Sequence, residues 1–353
     1  MPLHKNDLPP EIKAAILDGA MIPAHPLALN QDRQLDKQRQ RALTRYYLDA
    51  GVGGIAVGVH TTQFQIRNVG LYQPVLELAR ETVEDWAKKP VVCIAGVVGK
   101  TEQAISEAQT AVSLGYHAGL LGLAAFKGVG EDEIIEHCQR VAQEIPLVGF
   151  YLQLAVGGRL LSSDFWRRFA EIDNVVAIKM APFNRYQTLD VIRGIVAAEA
   201  EDRVTLYSGN DDHIVLDLAI PFLNKRNGKE IVTRIRGGLL GHWSVWTAKA
   251  VEIFNRIKNE TKHEQIAADL LALDSAVTDC NSAFFDVINN FFGCIAGCHE
   301  VLRRQGLMEG IWCLDPDETL GPGQAEEIDR VYRSYPELND DEFVRENLER
   351  WLT

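Results

Sequence analysis

From about residue 18 to residue 255, short apolar runs alternate with stretches whose apolar residues recur at helical spacing. Eight runs have the length and β-branched character of buried strands: 20–23, 54–59, 91–97, 119–123, 147–151, 175–179, 204–208 and 235–240. Helical periodicity fills the intervals at 36–50, 69–88, 101–114, 131–144, 163–172 and 185–198. Repeats of roughly thirty residues predict a (β/α)8 TIM barrel. An open dinucleotide-binding sheet would need a glycine fingerprint after its first strand, and none follows residue 23. Beyond 255 the pattern is helical throughout, at 264–277, 283–305, 324–334 and 341–351, which exceeds what a barrel requires. The expected organisation is a barrel over 1–255 and a C-terminal helical extension over 256–353 packed on it.

Composition narrows the class. With 353 residues, 46% hydrophobic and 24% charged, the chain can bury a full core. Its net charge of −13, with 36 Lys and Arg interspersed among acids, disfavours nucleic acid and anionic membrane as partners. The first ten residues lack the apolar core of a signal peptide, and the longest uncharged stretch, 108–126, contains Gln109, Ser113 and His117. The expectation is therefore a soluble cytoplasmic protein. Six scattered cysteines are expected as reduced thiols. Cys294, Cys298 and His299 form one cluster at helical spacing, but Phe291, Phe292, Ile295 and Ala296 surround it, so it reads as packing.

One residue breaks the apolar pattern. The run 174–179 ends in Lys179, and Pro182 stops the strand soon after. A lysine at the carboxyl end of a buried strand is desolvated, which favours the free amine, and a free amine attacks carbonyl carbon to form a Schiff base. A stem lying on apolar surface with its head in water is the structural alternative. Catalytic groups of such barrels come from the carboxyl ends of strands, and several other ends bear reactive side chains: His25, His60-Thr61-Thr62-Gln63, Tyr151, Ser208-Gly209-Asn210-Asp211 and His242. Tyr151 falls on the strand next to that of Lys179, where a phenol could move protons for an imine-forming lysine. His25, His60 and His242, with Asp211 near, offer a rival reading as a divalent-metal site that polarises a carbonyl.

The segments 51–62, 146–151, 175–179 and 208–211, in this order and spacing, resemble the dihydrodipicolinate synthase and N-acetylneuraminate lyase superfamily. The resemblance implies a homotetrameric class I aldolase, needing no metal or cofactor, whose strand-six lysine forms a Schiff base with pyruvate or another 2-oxo acid. It implies that role for Lys179 and a proton-relay role for Tyr151. The family's Gly-Thr-Thr-Gly-Glu after strand two is matched in part by His60-Thr61-Thr62-Gln63, so Thr61 or Thr62 with nearby backbone is expected to hold the keto-acid carboxylate. His60, Gly209 and Arg159 complete the expected substrate contacts. Several departures concern substrate and proton transfer. Ala124-Ala125-Phe126-Lys127 stands where the family has Pro-Tyr-Tyr, removing the tyrosine lent by a neighbouring subunit. His25-Pro26-Leu27 replaces Thr-Pro-Phe, and Arg159 lies three residues beyond the family's usual arginine. These changes argue against dihydrodipicolinate synthesis itself. They also keep open a barrel that binds a keto acid without turnover. Phe126, Trp243 and Trp246 are read as core or interface aromatics.

Overall fold

The computed structural model describes every residue except Glu264. The apolar runs become β1 (Met21–Pro23), β2 (Gly54–Val57), β3 (Val92–Val97), β4 (Ala118–Leu121), β5 (Leu147–Leu152), β6 (Val175–Ala181) and β7 (Thr205–Ser208). A hairpin of β8 (Pro221–Arg226) and β9 (Lys229–Arg234) is inserted before β10 (Gly237–Leu240), which is the eighth strand of the main sheet. The sheet order is β1-β10-β7-β6-β5-β4-β3-β2. Past β1, Ala24 bridges Ala56 in parallel and the His25 amide donates to the Ala56 carbonyl at 2.8 Å, which closes the ring. Parallel strands that are neighbours in sequence and in space, each followed by a helix, make the expected (β/α)8 barrel. Burial on both faces explains why these strands are apolar throughout rather than alternating.

The chain divides into two compact units, the first comprising residues 1–20, 92–210 and 220–239. Within it, the Tyr207 hydroxyl on β7 donates to the Ile16 carbonyl at 3.0 Å and accepts from the Ala20 amide at 3.1 Å. These bonds fix the helix Pro10–Asp18, which the apolar periodicity does not predict. The outer face of β5 packs on the helix Ser163–Glu171. A side chain at Gly149 would lie 2.7 Å from the Phe169 ring, so the glycine is what lets that helix close on the strand. The β8–β9 hairpin turns through Asn227 and Gly228, both at positive φ (52° and 77°), as the primed hairpin turns require.

The second unit comprises residues 21–91, 211–219 and 240–353. Its C-terminal part is tied down by a buried carboxylate. Asp340 accepts from the Tyr46 hydroxyl at 2.8 Å, from the Ala248 amide at 2.9 Å and from Gln305 Nε2 at 2.8 Å. Burial holds its carboxyl above the usual range. The helix expected to begin at Glu264, outside the described residues, runs Asp269–Phe284. The stretch expected as one helix over 283–305 is broken, and helix resumes at Cys294–Arg304. Asp286, Asn290 and Phe291 take left-handed φ of 55°, 54° and 66° in between. The Asp286 carboxylate holds this turn by accepting from the Gly293 amide at 3.0 Å and from Asn289 Nδ2 at 2.6 Å, and Asp and Asn side chains bond locally in this way. Among the described residues no helix is long and apolar enough to cross a membrane.

Removing the Asp340 carboxylate takes the acceptor from the Tyr46 hydroxyl and the Ala248 amide, while Gln305 Nε2 keeps Asp341 Oδ1 at 2.9 Å. Asp340→Ala is expected to lower the unfolding free energy by about 2–4 kcal/mol in urea titrations. A loss under about 0.5 kcal/mol would show that the network contributes nothing.

Candidate active site

In the first unit, β6 continues to Ala181, two residues past the expected strand end, and Lys179 is 7% exposed. Its neighbours at the same level are Phe150 on β5 and Tyr207 on β7. The lysine Nζ stands 4.4 Å from the centroid of the Phe150 ring, which forms an apolar floor beneath it. A Cβ at Gly209, just past β7, would lie 2.6 Å from Lys179 Cε and 2.9 Å from Ala181 Cβ. Gly209 therefore makes room for the lysine stem.

Tyr151 does not share a face with Lys179. It is level with Met180, and successive strand residues point to opposite sides of a sheet. Its ring packs 5.2 Å from that of Trp166, and its hydroxyl lies 3.3 Å from both the amide and the carbonyl of Leu161. Burial pushes the phenol above its ordinary pKa. The physical reason is a one-residue register shift. Leu147 pairs with Val175, but Val148 pairs with Ala177, which leaves Val176 unmatched. Counting evenly from the first pair would set Tyr151 opposite Lys179, whereas the shift sets Phe150 there. The strand-five side chain facing the amine thus has no hydroxyl, and the expected pairing of Tyr151 with Lys179 is corrected.

Arg159 is occupied elsewhere. Its Nη1 donates to the Phe126 carbonyl at 2.7 Å and its Nη2 to the Val129 carbonyl at 2.9 Å, so it clamps the segment 126–129. Phe126, where the family's tyrosine is missing, is buried with its ring 4.3 Å from that of His137.

The second unit holds the turn after β2. Thr61 Oγ1 donates to the Ala24 carbonyl and Thr62 Oγ1 to the His25 carbonyl, both at 2.7 Å. Thr62 Oγ1 also accepts from the Gly58 amide at 2.9 Å. His60 opens the turn, half-buried, with its ring 5.9 Å from Phe64. Gln63 is a residue that the sequence reading did not weigh by itself. It is fully buried at φ 67°, its Oε1 accepts from the Leu314 amide at 2.6 Å, and its Nε2 has no partner among the described residues. A buried donor in this state is a place where water or a ligand group would be bound.

The rival metal reading finds no support in these side chains. His25 donates from Nδ1 to the Pro26 carbonyl and has Nε2 against Thr44 Oγ1, both at 2.8 Å, so both nitrogens are occupied. The backbone of His242 donates to Asp211 Oδ1 at 2.8 Å, and its ring is buried. Among the described residues no group of three or more His, Cys, Asp or Glu side chains could hold a metal ion. Cys298 and His299 are buried in the helix Cys294–Arg304, as the packing reading expected, and Trp243 and Trp246 are core residues.

The fold and the buried strand-six lysine define a (β/α)8 barrel with an amine-bearing site. The chain belongs to the dihydrodipicolinate synthetase family, whose model matches residues 19–220. It is 23% identical to N-acetylneuraminate lyase 2 of Escherichia coli O6:H1 over 300 residues, 84% of this chain and 87% of that one. It is 29% identical to the 4-hydroxy-tetrahydrodipicolinate synthase of Syntrophobacter fumaroxidans over 183 residues, 50% of this chain and 59% of that one. Among solved structures, a dihydrodipicolinate synthase from Oceanobacillus iheyensis superposes with TM-score 0.74 at 16% identity, covering 92% of this chain and 99% of that one. A prophage protein of the same family from E. coli K12, solved in complex with pyruvate, superposes with TM-score 0.72 at 17% identity, covering 91% and 98%.

Burial lowers the pKa of His25, His242 and His299 to about 4 each. Between that value and about 6.5 the unfolded chain binds protons that the folded chain does not, so stability falls as pH falls through this window. Each histidine is expected to contribute about 1 kcal/mol per pH unit there, and denaturant titrations at several pH values check it. Stability that stays flat from pH 6.5 down to 4 would show these rings to be charged or solvated in the fold.

Proposed function

We propose that this chain is a Schiff-base-forming lyase of the class I aldolase type, acting on a 2-oxo acid such as pyruvate. The observation that carries the reading is Lys179, buried on β6 above the Phe150 ring, with its stem admitted by Gly209. The lyase and synthase names of the relatives and the pyruvate found in the prophage protein support it. In the proposed reaction the amine lone pair attacks C2, and the carbonyl oxygen departs as water with one proton from the amine and one from solvent, leaving the protonated imine. Loss of a C3 proton gives an enamine that adds to an aldehyde. In the reverse sense, the bond beyond C3 breaks as that enamine is released.

The roles of the other residues follow from their bonds. Both threonine hydroxyls are already donating to the carbonyls of Ala24 and His25, so Thr61 and Thr62 hold the substrate carboxylate through the backbone of their turn. Phe150 and Phe126 cannot move protons. The transfers fall to water, to hydroxyls of the substrate or to His60. Arg159 shapes the segment 126–129 and is assigned no substrate bond. The proposal places this chemistry in a barrel over 1–255 with the extension 256–353 packed on it, in a cytoplasmic homotetramer. The departures at 25–27, 124–127 and Arg159 argue against dihydrodipicolinate synthesis itself. The missing strand-five phenol favours one second reading, a barrel that binds a keto acid as an imine without turnover.

Borohydride reduction in the presence of pyruvate is expected to fix a secondary amine on the peptide containing Lys179. Lys179→Arg should lose both the adduct and any lyase activity while thermal stability changes little. An adduct without carbon–carbon bond chemistry on any aldehyde partner would establish the second reading. Absence of an adduct with every 2-oxo acid tried would overturn the imine mechanism.

A further inference from the structure

Asn210 follows the glycine that admits the Lys179 stem, and both lie in the first unit with the lysine. It is 3% exposed, and the proposed reaction gives it no task. Both ends of its side-chain amide are spent on the segment after β6. Oδ1 accepts from the Phe183 amide at 3.1 Å, and Nδ2 donates to Thr188 Oγ1 at 3.2 Å. Thr188 lies in the first turn of the helix Arg185–Ala197, and its hydroxyl donates in turn to the Asn184 carbonyl at 3.3 Å. The Asn210 backbone amide donates to Ser208 Oγ at 3.1 Å, and the Gly209 amide to the Met180 carbonyl at 2.6 Å. Gly209 is thus held against β6 by its own amide and by the residue that follows it. The clip also bears strain. Phe183 has a left-handed φ of 49°, which a residue with a Cβ keeps only where its surroundings impose it, and the amide that Asn210 Oδ1 holds is that of Phe183.

We propose that Asn210 is a positioning residue for the Lys179 amine. It fixes Gly209 as the wall on which the lysine stem lies, since a Cβ at Gly209 would stand 2.6 Å from Lys179 Cε. With that wall fixed, Nζ stays over the Phe150 ring and out of water. The residue type follows from the bonds: one atom must accept from Phe183 and another must donate to Thr188, which a carboxamide does and an aspartate or leucine does not. The groups level with the amine on the flanking strands cannot do this work. Phe150 does not titrate, and the Tyr207 hydroxyl is bound to the Ile16 carbonyl and the Ala20 amide, with burial raising its pKa. Without the clip Gly209 and the stem part, and water reaches the ammonium. That gain outweighs a weakened ring contact, so the charged form is favoured and the free amine becomes scarcer. The catalytic consequence, slower attack on C2, rests on the imine reading, whereas the placement of the amine does not.

Acetic anhydride labelling of the full chain at a series of pH values, read by mass on the peptide containing Lys179, reports the free amine without any keto acid. Asn210→Ala is expected to move half-maximal labelling of Lys179 up by about one pH unit, toward an ordinary lysine. At pH 7 that leaves about tenfold less free amine, so borohydride trapping of pyruvate should slow by about tenfold. Thr188→Ala removes one of the two anchors and should shift the profile the same way by less, which decides the matter if Asn210→Ala does not fold. Asp340→Ala loosens a buried network in the second unit and should leave the profile in place, which separates positioning from a general loss of stability. A parental labelling profile in whichever of the two clip variants folds would overturn the proposal, as would an equal shift in Asp340→Ala. The expected shift together with no pyruvate adduct on the parent would sink the imine reading and leave Asn210 its role.

Discussion

The pairing of β5 with β6 decides what chemistry the amine of Lys179 meets. In a strand the side-chain period is two, so one unmatched residue exchanges the face of everything beyond it. Val176 is that residue, and its effect is to place a phenyl ring rather than a phenol beside the lysine. Tyr151 is consequently an outward-facing residue, held between Trp166 and the backbone of Leu161. The packing of β5 agrees with this register, since Gly149, two residues before Tyr151, faces the same helix. A return to even pairing would drive Tyr151 inward and push Phe150 toward Trp166.

Side chains that look reactive in the sequence are spent on structure in several places. His25 uses both nitrogens within its own neighbourhood, Arg159 uses its guanidinium on two carbonyls, and the threonines of the β2 turn use their hydroxyls on the end of β1. In the first unit the candidate site consists of a buried amine, the glycine that admits its stem and a ring beneath it. Such a set can form an imine but supplies few protons of its own.

Much of this was legible in the order of residues. Apolar runs buried on both faces and amphipathic intervals gave the barrel, and a lysine closing one run marked the candidate site, because period and burial are local properties of the chain. The Asn227-Gly228 pair was also a local signal of the hairpin, although apolar periodicity passes over it. Gln63 likewise stands where the family has a glycine, and it keeps a left-handed φ. The register shift at Val176 could not be read, because which residue of a strand goes unmatched depends on its partner. The break at Asp286 depends on a carboxylate reaching the Gly293 amide seven residues on, which no short window reports.

Phe150, and not Tyr151, faces the amine. The rate at which solvent deuterium enters C3 of pyruvate reads this out, because under the proposed mechanism that exchange proceeds through an imine and its enamine on Lys179. Tyr151→Phe is expected to exchange at the parent rate, and Phe150→Tyr, which sets a phenol beside the amine, to exchange faster. A fall of about 10²-fold or more in Tyr151→Phe, the usual effect of losing an acid–base group, would contradict this arrangement.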